Sequence, residues 1–229
     1  MFHVEQGDLT NGLGHEPSTD AALAALPATR DLLGVAQPIL EQYAALLADQ
    51  GVLRGLIGPR EVPRLWSRHL LNCAAVAALL PADGTVVDVG SGAGLPGIVL
   101  GAMRPDLRVV LIEPMERRTA WLAEVVAELE LSAVDVVRGR AEEVHGRFAA
   151  AAVTARAVAP LRKLVPWTMP FLVPGGVLLA MKGSRAADEL EEASAVIRKH
   201  QGVDGEVVVL PSVPGVDATT VVRVRRSAS

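Results

Sequence analysis

The sequence predicts an α/β fold in which a mostly parallel, seven-stranded sheet ends in an antiparallel hairpin and follows an N-terminal helical region. From Thr85 onward, short runs rich in β-branched residues alternate with helical stretches, which is the pattern of βαβ units with parallel strands. The last two runs, 206–210 and 219–225, are joined by a Pro/Gly segment too short for a parallel crossover, so they predict the hairpin. Before the turn at 81–84, apolar residues recur at helical spacing instead.

The individual elements follow from the same periodicities. Short β-branched runs predict strands at 85–89, 107–113, 134–139, 150–157 and 175–183, in addition to the two hairpin strands. Helical spacing between them predicts helices at 95–103, 116–130, 160–172 and 185–200. Prolines at positions 27, 38, 59 and 63 divide the preceding region into several short helices. We therefore expect a mobile polar tail over residues 1–19, a helical region over 20–81 and a ligand-binding α/β domain over 82–229.

Composition restricts the class of protein. Half of the 229 residues are apolar and 21% are charged, which is the balance of a globular protein with a full core. The single cysteine, Cys73, cannot form a disulfide within the chain, which favours a reducing, cytoplasmic setting. We expect no signal peptide and no contact with a membrane, because the N-terminus lacks a basic and an apolar region and no apolar run approaches about 18 residues.

One segment departs from the overall net charge of −4. Between Arg138 and Arg185 there are eight Lys or Arg and two Glu, a local excess of six positive charges. Such a segment either faces a polyanion or places its cations on several sides of the fold. The sequence leaves both interpretations open.

A glycine-rich turn follows the first predicted strand, at the edge where open α/β sheets bind ligands. It runs from Asp88 to Gly97, and its last six residues satisfy the pattern GxGxxG, which dinucleotide sites and S-adenosyl-L-methionine sites share. Asp88 would repel a pyrophosphate, whereas it can hold the loop or accept hydrogen bonds from the ammonium group of S-adenosyl-L-methionine. The closing hairpin is typical of methyltransferases that use this cofactor. We therefore predict S-adenosyl-L-methionine as the ligand of Asp88, Gly92 and Gly94.

Acidic residues follow the second and third predicted strands. Glu113 lies 21 positions after Gly92, close to the spacing at which an acid binds ribose hydroxyls. After the third strand, Glu142 or the neighbouring backbone can meet the adenine amino group, and Arg140 can pair with an acid or a phosphate. The alternative for this second group is an ordinary charged helix start.

These motifs resemble those of the bacterial small-subunit ribosomal RNA guanine-N7 methyltransferase family, also called glucose-inhibited division protein B. The similarity covers residues 40–226. Two family features are missing, since no Asn-Leu-Thr segment follows the early helix and Leu71-Asn72-Cys73 stands where an Asp-Ser pair is common. The similarity is carried by Trp66-Ser67-Arg68-His69-Leu70, Gly92-Ala93-Gly94-Leu95-Pro96-Gly97-Ile98, Arg140-Ala141-Glu142-Glu143, Arg156-Ala157 and Lys182-Gly183.

The resemblance implies a class I, Rossmann-like methyltransferase fold and an S-adenosyl-L-methionine-dependent enzyme that methylates N7 of a guanine in the decoding-region loop of 16S rRNA. It assigns the cofactor to Gly90, Leu95, Ala141, Glu142 and Arg156. The partner it implies is 16S rRNA, within the small ribosomal subunit or an assembly intermediate. We expect a monomer that needs no metal.

The chemistry of the residues agrees with this reaction. Methylation of a pyrimidine carbon normally needs a cysteine nucleophile, and Cys73 lies in an apolar helical stretch that predicts a core position. Methylation of an adenine amino group usually involves an Asn/Asp-Pro-Pro-aromatic loop, and here that loop reads Thr154-Ala155-Arg156-Ala157. Guanine N7 has a free lone pair, so the enzyme needs only to position it in line with the methyl group and needs no nucleophilic residue or general base. Arg156 and Lys182, at two strand ends, are the predicted catalytic residues, with contacts to guanine O6 or a phosphate.

Basic side chains predict an RNA-binding surface. Arg64 and Arg68 are four residues apart and form one stripe if their segment is helical. His69 either caps the pocket or is a core histidine, and Arg140 and Arg185 complete the predicted set. Three other functions stay open: a small-molecule methyltransferase, a nicotinamide-dependent dehydrogenase, and a protein that binds the cofactor without chemistry.

Overall fold

The computed structural model describes residues 19–228, so the predicted tail over 1–19 lies outside the described residues except for Thr19. The described chain begins with short helices, two of which carry a proline in their first turn, where the missing N–H costs no hydrogen bond. The α-helices are α1 (Thr19–Ala22), α2 (Pro27–Leu33), α3 (Gln37–Gln50) and α4 (Leu71–Ala75). Between them lie 3₁₀ turns at Leu23–Ala25, Gly34–Ala36 and Val62–Arg64 and a π-helix at Leu65–Leu70, and a further 3₁₀ turn at Val76–Leu79 follows α4. The predicted N-terminal helical region is confirmed.

The rest of the chain forms a seven-stranded sheet in the order β3-β2-β1-β4-β5-β7-β6. The first five strands are parallel, and β7 runs antiparallel to both β5 and β6, which confirms the predicted closing hairpin. The strands are β1 (Thr85–Val89), β2 (Arg108–Glu113), β3 (Val134–Arg138), β4 (Ala150–Arg156), β5 (Leu172–Lys182), β6 (Gly202–Leu210) and β7 (Thr219–Arg226).

Helices cover both faces of the sheet, as the nearly continuous burial of β1 and β2 requires. They are α5 (Gly97–Met103), α6 (Glu116–Glu128), α7 (Leu161–Thr168) and α8 (Ala186–Lys199). One buried cluster joins the N-terminal helices to α5, α6 and one face of the sheet, with Leu40, Ile98 and Trp121 among its members. The other face packs against α7 and α8 through Leu164 and Ile197.

Several predicted element ends are wrong, and two of them have a clear cause. The predicted helix 160–172 ends at Thr168, and β5 begins at Leu172 because the Pro-Gly-Gly tract at 174–176 continues the strand. The register between β4 and β5 shifts there, and a Cβ on Gly176 would approach three carbonyl oxygens within 3.1 Å. Glycine therefore permits the close backbone approach at this irregularity. A similar irregularity after Val203 lets β6 begin at Gly202 and not at 206.

Within 19–228, no helix combines the length and the apolar character that crossing a membrane requires. Over the same range, no group of three or more His, Cys, Asp or Glu side chains is arranged to hold a metal ion.

Candidate active site

The predicted site residues gather at the carboxyl edge of the parallel strands. β1 lies between β2 and β4, the point where the strand order reverses and where α/β sheets bind ligands. The glycine loop follows β1, while Glu113 and Arg156 end β2 and β4. Lys182 ends β5, on the far side of β4.

The glycine loop leaves β1 through a turn that side chains would disturb. Gly90, Gly92 and Gly94 have φ values of +72°, +57° and +112°, which L residues with a Cβ rarely adopt. A Cβ on Gly90 would lie 2.7 Å from Val158 in the turn after β4. A Cβ on Gly92 would meet only the Gly90 carbonyl, at 3.8 Å. The loop therefore packs against the turn after β4 at Gly90 and leaves space for a ligand in front of Gly92.

The second half of the loop packs inward. A Cβ on Gly94 would approach Ile98 Cγ1 to 2.5 Å and the Tyr43 hydroxyl to 2.8 Å, and Leu95 is buried in the core. Gly94 and Leu95 thus shape the loop from behind. Their predicted contact with the cofactor stays a prediction.

Two buried aromatic side chains hold the loop, and the sequence analysis missed both. The Tyr43 hydroxyl of α3 and Trp121 Nε1 of α6 both donate to the Ala93 carbonyl, at 2.9 and 2.8 Å. Their positions at buried points of amphipathic helices indicate only core residues. Nothing local signals that their polar atoms reach a loop 28 to 50 residues away.

Asp88 is turned into the protein. Its Oδ2 accepts from Gly97 N at 3.2 Å and its Oδ1 accepts from the Thr154 hydroxyl at 2.9 Å. Burial raises the pKa of this carboxyl to about 6, although the hydrogen bonds from Thr154, Ser91 and Gly97 oppose the shift. Of the two roles expected for Asp88, this geometry favours holding the loop over accepting the cofactor's ammonium group.

Glu113 ends β2 beside the open side of the loop. Its Oε2 accepts from Gly92 N and its Oε1 from Met115 N, both at 3.0 Å, and only 2% of the residue is exposed. Arg118 Nη1 lies 3.8 Å from Oε2. Both carboxylate oxygens therefore hold the backbone on either side of the strand end, and the predicted contact of Glu113 with the ribose stays a prediction.

The turn after β3 lies next to this carboxylate, because Gly139 N donates to the Glu113 carbonyl at 3.2 Å. A 3₁₀ helix, Ala141–Glu143, begins there, and Glu143 caps it by accepting from Arg140 N at 2.9 Å. Ala141 is buried, while Glu142 and Arg140 are exposed. The charged helix start expected as an alternative is therefore present, and Glu142 has no partner among the described residues.

A cleft of about 1120 Å³ opens over the ends of β4 and β5. Val158, which lies against Gly90, is part of its wall, whereas the glycine loop itself does not line it. The cleft brings both predicted catalytic residues, Arg156 and Lys182, together with three predicted RNA-binding residues, Arg64, Arg68 and His69. Its other walls come mainly from the segment before the π-helix, the turn after β4 and the β6–β7 connection, and three acidic residues, Glu61, Glu189 and Asp217, also line it.

Arg156 spans from β4 to the π-helix. Its Nη2 lies 2.6 Å from His69 Nδ1, and its Nη1 donates to the Arg68 carbonyl at 3.4 Å. His69 Nε2 lies 2.8 Å from Glu61 Oε2. Burial and the Arg156 cation lower the pKa of His69 to about 4 against the opposing effect of Glu61. His69 is therefore a buried, neutral histidine on the wall of the cleft.

Lys182 is held on the opposite wall. Its Nζ donates to the Ala159 carbonyl at 2.7 Å and pairs with Glu189 Oε2 at 2.8 Å. Glu189 also accepts from Leu161 N at the start of α7, at 2.7 Å. Burial alone would raise the pKa of Glu189, but the hydrogen bonds from Lys182 and Leu161 outweigh it and lower the pKa.

The predicted RNA-binding residues divide into two groups. Arg64 and Arg68 are exposed on the cleft, and Arg68 Nε lies 3.3 Å from Glu61 Oε2. Arg185 instead pairs with Asp188 and Glu192 on its own helix, at 3.6 and 3.1 Å. Arg140 stands after β3, outside the cleft lining. The structure thus gathers Arg64, Arg68 and His69, and leaves Arg140 and Arg185 apart from them.

Cys73 lies in α4 and is fully buried. Burial raises the pKa of its thiol to about 11, against the lowering effect of Arg156. A protonated thiol in the core is a poor nucleophile, which agrees with its predicted core position.

The fold and the site define a class I methyltransferase, and solved structures of this class share the fold. Precorrin-6y C5,15-methyltransferase from Geobacter metallireducens is similar with a TM-score of 0.53, at 15% identity, over 75% of this chain and 91% of that chain. The TYW2 protein of M. jannaschii, solved in complex with AdoMet, is similar with a TM-score of 0.53, at 19% identity, over 70% of this chain and 76% of that chain.

The sequence matches the family model described as rRNA small subunit methyltransferase G over residues 36–213, and the chain belongs to this family. The ribosomal RNA small subunit methyltransferase G of Thermobifida fusca is 56% identical over 86% of this chain and 83% of that protein. The protein of the same name from Streptomyces coelicolor is 56% identical over 74% of this chain and 72% of that protein. The predicted family, the rRNA methyltransferase activity and S-adenosyl-L-methionine as its cofactor are confirmed at the level of the family.

Proposed function

We propose that this protein methylates N7 of a guanine in the decoding-region loop of 16S rRNA. One observation carries the proposal: the two strand-end cations, Arg156 and Lys182, and the two exposed arginines, Arg64 and Arg68, line one cleft, whose wall includes the turn after β4 that packs against the glycine loop. The cleft combines groups that can read a guanine with groups that can hold a phosphate backbone.

The residues around the glycine loop fit the methyl donor. The open backbone at Gly92, next to Glu113, supports binding of its ribose there, and we assign the adenine to Ala141 and Glu142, in the 3₁₀ helix after β3, as the resemblance implies. Asp88 holds the glycine loop from its buried side, by accepting hydrogen bonds from Gly97 N and the Thr154 hydroxyl. When bound, S-adenosyl-L-methionine supplies an electrophilic methyl group on a sulfonium sulfur.

The acceptor side needs positioning and no proton transfer to a base. Guanine N7 has an unprotonated lone pair, so the protein must hold it in line and exclude water. Arg156 and Lys182 donate to guanine O6 or to a phosphate, since a cation bound to N7 would block the reaction. The cleft lining contains no cysteine, in keeping with direct transfer.

The remaining expectations concern the setting of the reaction. The substrate is the small ribosomal subunit or an assembly intermediate, which presents the loop already folded. Arg64 and Arg68 contact its phosphates, and Arg140 and Arg185 are secondary candidates. The enzyme works in the cytoplasm as a monomer, without a metal and without a membrane.

Methyl transfer from labelled S-adenosyl-L-methionine to small subunits lacking the modification tests the proposal. Nucleoside mass spectrometry of the RNA is expected to show 7-methylguanosine. Arg156→Ala is expected to lower kcat roughly 10- to 100-fold, the range for losing a hydrogen bond to a charged group. Glu206→Gln, at a surface ion pair of the hairpin, is the control expected to keep full activity. A different methylated nucleoside, or transfer to small molecules only, would contradict the proposed acceptor.

A further inference from the structure

Glu61 connects the arginine side of the cleft, at Arg68, with Arg156 at the end of β4 through His69. Its Oε2 lies 2.8 Å from His69 Nε2 and 3.3 Å from Arg68 Nε. The other ring nitrogen of His69, Nδ1, lies 2.6 Å from Arg156 Nη2. The His69 side chain is 8% exposed, so water does not compete for either nitrogen, while Glu61 is 29% exposed. One carboxylate therefore orders a chain of three side chains that ends at Arg156.

The direction of these hydrogen bonds follows from the chemistry of the partners. A guanidinium carries only N–H donors, so His69 Nδ1 must be the unprotonated acceptor. The ring proton is then on Nε2, where it donates to Glu61. A carboxylate is the partner that stabilises this tautomer. The imidazole stays neutral, because burial and the neighbouring Arg156 cation lower its pKa to about 4.

We propose that Glu61 and His69 are positioning residues that orient Arg156 for the methyl transfer proposed above. The inference rests on that proposed function. Contacts to His69 Nδ1 and the Arg68 carbonyl hold one N–H on each terminal nitrogen of Arg156. Since the buried Cys73 side chain is a further hydrogen-bond partner of Arg156, at most two of the five guanidinium N–H groups remain for ligands. Arginine has many side-chain rotamers, so fixing the guanidinium beforehand removes an ordering cost from the reaction.

The backbone supports the same assignment. Arg68 and His69 lie in the π-helix Leu65–Leu70, a form that occurs mostly as single turns and frequently at functional sites. The segment packs on the core through Leu65, Trp66 and Leu70, so its polar residues face the cleft from a rigid support. A histidine needed only for packing would not require a cation on one nitrogen and a carboxylate on the other.

Two substitutions of His69 separate positioning from folding. His69→Asn keeps an acceptor, Oδ1, at the place of Nδ1, whereas His69→Gln places its amide further out, toward Glu61. We expect kcat within about 3-fold of wild type for His69→Asn and roughly 10- to 100-fold lower for His69→Gln. The KM for small subunits is expected to stay unchanged in both variants. Glu61→Gln, which still accepts a hydrogen bond, is expected to retain more kcat than Glu61→Ala.

NMR spectroscopy measures the tautomer of His69 directly. In ¹H–¹⁵N spectra of histidine-labelled full-length protein at pH 7, His69 is expected as the Nε2–H tautomer in wild type. In Arg156→Gln, Glu61 is expected to keep the Nε2–H tautomer of the neutral ring, while the pKa of His69 is expected to rise because the Arg156 cation no longer lowers it. The signals of His145, which contacts the Trp167 carbonyl, are expected to stay unchanged. Equal kcat for wild type and both His69 variants, or an Nδ1–H tautomer in wild type, would overturn the inference. Absence of 7-methylguanosine with the wild-type enzyme would instead count against the proposed function.

Discussion

At the scale of single residues, burial shifts the pKa values of two ionisable groups of this site, Asp88 and His69, in opposite directions. The pKa of Asp88 is raised from 3.8 to about 6 by burial, so folding binds a proton there and its contribution to stability falls as pH rises from about 4 to 6. The pKa of His69 is lowered from 6.5 to about 4, mainly by burial, so its contribution to stability is lost as pH falls through the same range. The two effects oppose each other in the wild-type protein.

Asp88→Asn removes one of the two effects. The free energy of unfolding of this variant, relative to wild type, is expected to rise by roughly 2 to 3 kcal/mol between pH 4 and pH 8, since about two pKa units are involved. Urea unfolding at several pH values measures this. The control is Asp135→Asn, at an exposed ion pair with Arg108, for which we expect no comparable trend. A pH-independent difference for Asp88→Asn would contradict the effect of burial.

At the scale of elements, the glycine loop depends on two neighbours that stand far from it in sequence. The turn after β4 closes against Gly90, and α3 and α6 hold the Ala93 carbonyl. The N-terminal helical region therefore contributes to the shape of the cofactor site as well as to the core. Its removal would leave the loop without one of its two side-chain donors.

Tyr43→Phe tests this link, because it removes one hydroxyl and keeps the ring. The Ala93 carbonyl keeps its bond from Trp121, so the loss of stability is expected to be about 1 kcal/mol. Affinity for S-adenosyl-L-methionine, measured by titration calorimetry, is expected to fall several-fold. Trp121→Phe removes the other donor and more packing, so it should cost more stability. Unchanged affinity in both variants would mean that the carbonyl contacts do not shape the site.

Gly90→Ala tests the other neighbour. The new Cβ would lie 2.7 Å from Val158, at a φ of +72° that alanine disfavours. We expect cofactor affinity to fall about 5- to 30-fold, corresponding to a strain of about 1 to 2 kcal/mol. Adding Val158→Ala should restore part of the affinity, because it relieves the contact and leaves the strained φ. Full affinity in the single variant would show that the loop adjusts freely.

At the scale of the whole molecule, the protein has a net charge of −4 and yet acts on RNA, a polyanion. Its positive charges must therefore be concentrated where the RNA binds. The cleft achieves this with Arg64 and Arg68 on one wall and Lys182 on the other. Two of these cations also pair with acids of the cleft wall, Arg68 with Glu61 and Lys182 with Glu189, whereas Arg64 forms no salt bridge among the described residues. We therefore expect Arg64, which is exposed on the cleft, to contribute most of the attraction to phosphates.

The salt dependence of subunit binding measures this concentration. Arg64→Gln is expected to weaken binding and to reduce the slope of log K against log salt by about 1, as for the loss of one phosphate contact. Its kcat at saturating subunits should be unchanged. Arg198→Gln, on α8 away from the cleft, keeps the same change in net charge and should leave the slope unaltered. Equal slopes for both variants would place the RNA elsewhere.

The order of elements could be predicted because it rests on local patterns. A strand such as β1 and a helix such as α6 have different periods, and the β6–β7 connection is too short for a parallel crossover. The end of the helix before β5 could not be predicted, because the Pro-Gly-Gly tract is a turn by local chemistry. Its continuation of the strand depends on contacts with the backbone of β4.

The candidate site likewise contains features that local patterns predict and others that depend on tertiary packing. By itself, the sequence determined the family, the fold, the glycine loop and the strand-end residues Glu113, Arg156 and Lys182, because motif spacing and strand order place these along one edge. Only the tertiary structure showed that Asp88 faces inward, that Tyr43 holds the loop and that Glu61 reaches Arg156 through His69. The His69–Arg156 contact joins residues 87 positions apart. Such contacts depend on how helices pack on the sheet, which no local pattern encodes.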